Sequence, residues 1–225
     1  MHSSQPSIPS RFRDRAHAGR CLGSLLSSYE KRDDTIVLAL PRGGLPVGFE
    51  VARALEVPLD VFVVRKLGVP GHEELAFGAI ASGGVRILNP EVVRYLGLTS
   101  DVIDAVSERE RSELKRRERL YRGERPKVEL EGKTVILVDD GLATGASMRA
   151  AVAAVRAQKP ARIVVAVPTA ALDTCASLNA EVDEFVSPLR PEDFRAVSLW
   201  YDRFEQVSDE EVRTLLERAK QTGGA

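Results

Sequence analysis

The stretch VILVDDGLATGASMRAAV, residues 135–152, decides how the rest of the chain is read. Its first residues, Val135 to Val138, make a short apolar run of the kind a fully buried strand presents. The run stops at two adjacent carboxylates, Asp139 and Asp140. Gly141 and Gly145 then allow the backbone to curl, Thr144 and Ser147 add hydroxyls, and an alanine-rich helix opens near Ala146. Amides from 142 to 147 can converge there as an anion nest, reinforced by the positive end of the helix. A phosphate suits that cup, yet two negative charges stand at its mouth. They cannot touch the phosphate without repulsion, so they must face another part of the same ligand. Vicinal hydroxyls, or a positive charge developing in a transition state, would suit them. A sugar phosphorylated at one end meets both demands.

Other motifs fit poorly. A P-loop requires Gly-Lys-Ser/Thr, and TGAS holds no lysine; G-x-G-x-x-G is absent, and the two carboxylates are adjacent rather than in Asp-x-Asp spacing. The plain alternative is a strand-turn-helix whose Asp and Thr merely cap. Two charges, two glycines and two hydroxyls at these offsets argue against it.

Outward from this turn, strands alternate with helices, which predicts a mostly parallel sheet covered on both faces. The pattern predicts a helix over 11–29, a buried strand over 35–40 and a PRGG turn at 41–44. A helix then opens around Pro46 and runs to about Leu55. A strand over 59–64 comes next, followed by RKLGVPGHEELAFG, read as a glycine-punctuated mobile loop. AIAS and VRIL, around Gly83-Gly84, suit a hairpin. Thr99 or Ser100 can cap a helix to about Tyr121. Strands at 134–138, 162–167 and 182–186 alternate with helices at 146–158 and 170–178. Ser208 with Glu211 makes a capping box for the last helix. In a parallel sheet ligands bind at the carboxyl ends of strands, which is where Asp139 and Asp140 are delivered.

Composition narrows the class. At 225 residues, 44% apolar and 29% charged, the sequence reads as one globular domain over 11–225 behind a short Ser/Pro tail, 1–10. A net charge of -1 argues against nucleic acid and anionic membranes as partners. Cys21 and Cys175 lack metal or disulfide spacing, and no targeting segment or membrane-length apolar run stands out, so a cytoplasmic location is expected. The basic stretch ERERSELKRRERLYR carries Glu108, Glu110, Glu113 and Glu118 between its cations, and so reads as a self-paired, solvated helix face.

VILVDDGLATGAS, with ALPRGG and VVRKLG upstream, resembles the 5-phosphoribosyl pyrophosphate (PRPP) signature of the type I phosphoribosyltransferases. Over about residues 11–207 the chain is similar to a bacterial group named only as phosphoribosyltransferases. The resemblance implies an α/β fold with a central, mostly parallel sheet flanked by helices, a flexible loop and a small hood, placed within 182–207. It implies displacement of pyrophosphate from PRPP by a nitrogen nucleophile, such as a nucleobase, with Mg²⁺ on the leaving group. Asp139 and Asp140 would hold the ribose hydroxyls, directly or through the metal's water shell. Gly141, Leu142, Ala143, Thr144, Gly145, Ala146 and Ser147 would grip the 5-phosphate. Arg42, Gly43 and Gly44 would meet the pyrophosphate, in a loop where the family often has a cis non-proline peptide. Arg65 and Lys66 end a strand at the same edge; adjacent residues point to opposite faces, so one of them, Lys66 by preference, reaches the pyrophosphate while the other can pair with a carboxylate.

His72, Glu73 and Glu74 could close over the site and exclude water, although such residues on a loop are commonly just solvated. Phe194, Trp200 and Tyr201 fall where the hood should be and could stack on an acceptor, or form the hood's own core or a dimer contact. One departure matters. Family enzymes for 6-oxopurines carry an aspartate where this chain has Ala143. That puts hypoxanthine and guanine in doubt, favours a likeness to the adenine or orotate branches, and leaves proton transfer to another group such as Glu73 or Glu74. A homodimer is common in the family. A non-catalytic PRPP or nucleotide sensor is the alternative from a different class. A PRPP synthetase would need a longer, two-lobed body with an ATP site.

Overall fold

The structure is a computed structural model describing residues 9–123 and 128–222, the side chains of Glu74 and Thr222 excepted. In chain order the elements begin with α1 (Arg15–Leu25), β1 (Thr35–Ala39), α2 (Gly44–Leu55), β2 (Leu59–Val61), β3 (Val64–Val69) and β4 (His72–Ala81). Then come β5 (Val85–Leu88), α3 (Pro90–Tyr95), α4 (Ser100–Arg122), β6 (Thr134–Val138) and α5 (Ala146–Arg156). The last are β7 (Arg162–Ala166), α6 (Leu172–Asn179), β8 (Glu184–Val186) and α7 (Asp209–Thr222). A 3₁₀ turn follows α1 at Ser27–Tyr29, and another spans Val197–Trp200. Most of the expected 1–10 tail lies outside the described residues.

Five strands form a parallel sheet in the order β2-β1-β6-β7-β8. Every residue of β1 and of β6 is buried, because helices cover both faces. On one face Ile36, Leu38, Val135, Leu137 and Val165 pack with Met148, Val152 and Val155 of α5. On the other, Val37, Ile136, Val138 and Val164 pack with Leu22 of α1 and Val47 and Val51 of α2. The chain passes from β1 to β2 on one side and from β6 to β7 on the other, so its direction through the sheet reverses between β1 and β6. Such a reversal opens a crevice at the carboxyl ends of the two strands. Ala39 is in register with Val138, and the Leu40 amide donates to the Val138 carbonyl at 2.9 Å. The loops that follow the two strands therefore leave the sheet side by side.

Three expectations are corrected. The strand read over 59–64 is divided between two sheets. Phe62 N still donates to Ala39 O at 2.9 Å, but Val63 already pairs with Ser82, through Ser82 N to Val63 O at 2.8 Å and Val63 N to Ser82 Oγ at 3.0 Å. A continuous apolar run hides this change of partner.

The segment read as an irregular loop over 65–78 is instead an antiparallel hairpin, β3 and β4 turning at Pro70-Gly71; β5 adds to β4 as the expected hairpin around Gly83-Gly84. Leu67, Val69, Phe77 and Ile80 bury themselves against Ile103, Val106 and Leu114 of α4 and Val212 and Leu216 of α7. That packing turns a glycine-rich segment into regular structure. The first helix is also shorter than the expected 11–29, and Phe12 leaves it to bridge Tyr201.

The helix caps follow the sequence reading, and the charged face does so in part: Glu110, read as solvated and self-paired, is buried and pairs with Arg65 of β3. Thr99 Oγ1 accepts from Val102 N at 3.4 Å, and Ser208 Oγ accepts from Glu211 N at 3.1 Å. Glu113 pairs with Arg116 at 2.7 Å and Arg117 at 2.8 Å along α4. Among the described residues no helix is long and apolar enough to cross a membrane. Arg122 at the end of α4 makes a buried ion pair with Asp60 of β2, through Nε at 3.0 Å and a terminal nitrogen at 2.9 Å, both side chains 8% exposed. Asp60→Ala takes the nearest carboxylate from a buried guanidinium that keeps Glu118 at 3.6 Å and the Val61 carbonyl at 2.7 Å, so it should cost about 2 kcal/mol in chemical denaturation. A loss within error of zero would show that the pair is not isolated from water.

Candidate active site

The acidic turn and the PRGG loop meet at the reversal point. Strand β6 ends at Val138, and Asp139 Oδ1 accepts the Asp140 amide at 2.8 Å, which folds the first carboxylate back onto the turn. The Pro41–Arg42 peptide is cis. The loop it begins presses Gly43 and Gly44 onto the aspartates. A Cβ on Gly43 would lie 2.0 Å from Asp140 Oδ2, and one on Gly44 would lie 2.8 Å from Val138 O and 3.0 Å from Asp139 Cα. Only hydrogen fits there. The expected pyrophosphate loop and the expected sugar-binding acids thus form one packed unit.

Arg15, which the sequence reading did not single out, is the cation of this unit. Its Nε donates to Asp140 Oδ2 at 2.8 Å, and a terminal nitrogen donates to Glu205 O at 2.7 Å. Its guanidinium lies 3.7 Å from the centre of the Phe204 ring. The side chains of Arg15 and Asp140 are 11% and 15% exposed. Loss of water raises the pKa of Asp140, and the Arg15 charge opposes that rise. Asp139 is held well above the ordinary carboxylate range, first by desolvation and then by the neighbouring charge of Asp140. The pair is electrostatically costly, and a cation or hydrogen-bond donors arriving at it would relieve the cost.

Beyond the acids, Leu142 N donates to Thr169 O at 2.9 Å, which docks the turn on the segment after β7. Gly145 adopts φ +69° and starts α5 with no side-chain cap. The amides of Ala143, Thr144, Gly145 and Ser147 have no protein acceptor among the described residues. Ala143, Thr144 and Ser147 are exposed, while Leu142 is buried and Ala146 half-buried. This is what an anion cup at a helix N-terminus requires.

The remaining candidates separate. Arg65 is claimed by Glu110 of α4, at 2.9 and 2.7 Å, which makes it the structurally paired member of its dipeptide. Lys66 is exposed and has no ion pair among the described residues. Arg42 lies 4.0 Å from Asp209 at the start of α7. His72 and Glu73 are exposed beside the hairpin turn; the Glu74 side chain lies outside the described residues. Phe194 and Trp200 stack on each other, ring centres 6.4 Å apart. Tyr201, a candidate either to stack on an acceptor or to form the hood's own core or a dimer contact, is 4% exposed and sits between Phe12 and Phe204 in that core. Its hydroxyl donates to Asp140 O at 2.6 Å, so it supports the acidic turn rather than an acceptor.

Asp139 and Asp140 are the residues that could hold a metal. Among the described residues no three His, Cys, Asp or Glu side chains gather to cage one. Two carboxylates alone fit an ion that keeps water and ligand oxygens in its shell, as Mg²⁺ does, and do not fit a structural zinc site.

Fold and turn together define an α/β protein with its candidate site at a topological reversal. The family model for the phosphoribosyl transferase domain matches residues 70–193. Two curated Mycobacterium tuberculosis proteins, from strains H37Rv and CDC 1551 and both named as phosphoribosyl transferases, are 46% identical over 208 residues, 92% of this chain. The chain spans about half the length of these relatives, 47%. The crystal structure of TT1426 from Thermus thermophilus is 44% identical, with a TM-score of 0.83 over 92% of this chain and 98% of that one. The chain belongs to the phosphoribosyl transferase family.

Arg15→Ala would leave Asp140 without its buried cation. A loss of about 3 kcal/mol is expected in urea denaturation. Wild-type stability in that variant would mean that water already screens the pair.

Proposed function

We propose that the protein transfers the 5-phosphoribosyl group of PRPP to a nitrogenous acceptor, such as a nucleobase, and releases pyrophosphate. The observation that carries this reading is the turn after β6, which sets two desolvated carboxylates beside a run of amides that lack acceptors. The amides of 143–147 take the 5-phosphate, whose binding energy orients the sugar although it takes no part in the bond change. Asp139 and Asp140 receive the ribose hydroxyls and stabilise positive charge as the bond from the anomeric carbon to pyrophosphate breaks and the bond to nitrogen forms. Gly43 and Gly44, with Arg42 and Lys66 as cations, receive the leaving group. Mg²⁺, held by Asp139 and Asp140 through its water shell, would neutralise charge on the pyrophosphate.

The chemistry works from the cytoplasm, where PRPP is soluble and anionic. The hood lies within residues 182–207, in the segment after β8 that Phe12 joins, and its Phe194–Trp200 pair is the aromatic candidate for contact with an acceptor. Ala143 supplies no proton-transfer group, which points away from 6-oxopurines.

A pyrophosphate-release screen with PRPP, Mg²⁺ and a panel of bases tests the reading. Release with one acceptor is expected. Tight PRPP binding without release across the panel would instead favour a regulatory PRPP sensor. In a second test, Asp139→Asn retains an oxygen for the Asp140 amide and removes a charge that no side-chain cation contacts directly. Melting temperature should hold or rise while turnover falls by roughly tenfold or more, the scale of losing one charge-stabilising group. Undiminished turnover would remove Asp139 from the chemistry.

A further inference from the structure

The turn's amides are available because its carbonyls are tied down on the opposite side. Leu142 O accepts from Ala171 N at 3.0 Å, at the residue preceding α6. Ala143 O accepts from Thr174 Oγ1 of α6 at 2.6 Å. Thr144 O accepts from a terminal nitrogen of Arg149 at 2.9 Å. Arg149 is itself held against α6 by Ser177 Oγ and by Glu181 Oε1, the latter at 3.3 Å. These three peptides are trans, and in a trans peptide the N–H points opposite to the C=O that shares its plane. Fixing the carbonyls of 142, 143 and 144 toward α6 therefore directs the amides of Ala143, Thr144 and Gly145 away from it.

Thr174 is 7% exposed, and its methyl group closes the same contact: a Cβ on Gly145 would lie 2.7 Å from Thr174 Cγ2.

We propose that Thr174 and Arg149 are positioning residues that aim the turn's amides at the sugar phosphate, with α6 as the back wall of the anion site. The proposal rests on the phosphate-binding reading above. Thr174 is the stronger member, because it is buried and its hydroxyl is the donor to a carbonyl at the centre of the turn. Without that hydroxyl the 143–144 peptide is free to rotate. The turn would then present its amides to a phosphate only part of the time, and affinity falls with the fraction that is competent.

The test is calorimetric titration of the full chain with inorganic phosphate and with PRPP, alongside thermal melting. Thr174→Val keeps the side-chain volume and removes the donor; Thr174→Ser restores it; Arg149→Met, at a side chain 37% exposed, provides a variant that folding tolerates. Thr174→Val should bind both probes roughly tenfold more weakly, with Thr174→Ser returning toward wild type and Arg149→Met weaker by a smaller factor. In turnover assays KM for PRPP should rise while kcat at saturation stays near wild type. Wild-type affinity in both Thr174→Val and Arg149→Met would overturn the proposal. So would weakening confined to a variant that has lost its melting transition, since that marks a purely structural role. A wild-type chain that binds neither probe would overturn the phosphate-site reading itself, an outcome distinct from the other two.

Discussion

Two carboxylates at the end of a buried strand repel each other and lose hydration, and the surroundings of Asp139 and Asp140 are arranged around that cost. Arg15 supplies charge to one carboxylate, the Asp140 amide supplies a donor to the other, and Tyr201 fixes the carbonyl that follows them. Arg15 is in turn fixed by Phe204 and the Glu205 carbonyl. An arginine from the start of the chain and a tyrosine from beyond β8 thus hold a turn that belongs to neither segment. The net electrostatic balance stays unfavourable, with both acids shifted upward by desolvation. Sites that stabilise developing positive charge carry that kind of imbalance, because it is relieved by the species they act on.

The architecture serves this turn in two further ways. Parallel strands buried on both faces fix where β1 and β6 end, and the reversal of chain direction between them leaves a crevice at that edge. Ala171 and Thr174 of the α6 segment, with Arg149 of α5, then supply what the sheet cannot, a row of donors for the carbonyls of the turn. Core packing, strand register and the chemistry of the site meet within residues 138–145.

Much of this was legible in the sequence because it was local. The strand at 134–138, its acids, the glycines and the helix after them lie within one short window, and period and turn chemistry read such windows well. The caps at Thr99 and Ser208 were legible for the same reason. The contact between Arg15 and Asp140 spans 125 positions, and nothing in the pattern around Arg15 marks it among its neighbouring arginines. Thr174 looked like any helix residue, since its role depends on which carbonyl lies opposite. The hairpin at 64–81 is not legible locally, because its glycines read as punctuation while the apolar surface of α4 and α7 that β3 and β4 pack against lies far away in sequence. The apolar run at 59–64 concealed a change of hydrogen-bonding partner, which composition does not encode.

The missing side chain at Gly43 has a consequence for how the site can vary. With a prospective Cβ position 2.0 Å from the Asp140 carboxylate, the loop after β1 and the turn after β6 are cast against each other like a mould and its plug. Neither can be exchanged alone. A graft that brings a new acidic turn from a relative must bring the facing loop with it, or one of the two will be forced off the sheet edge that aligns them.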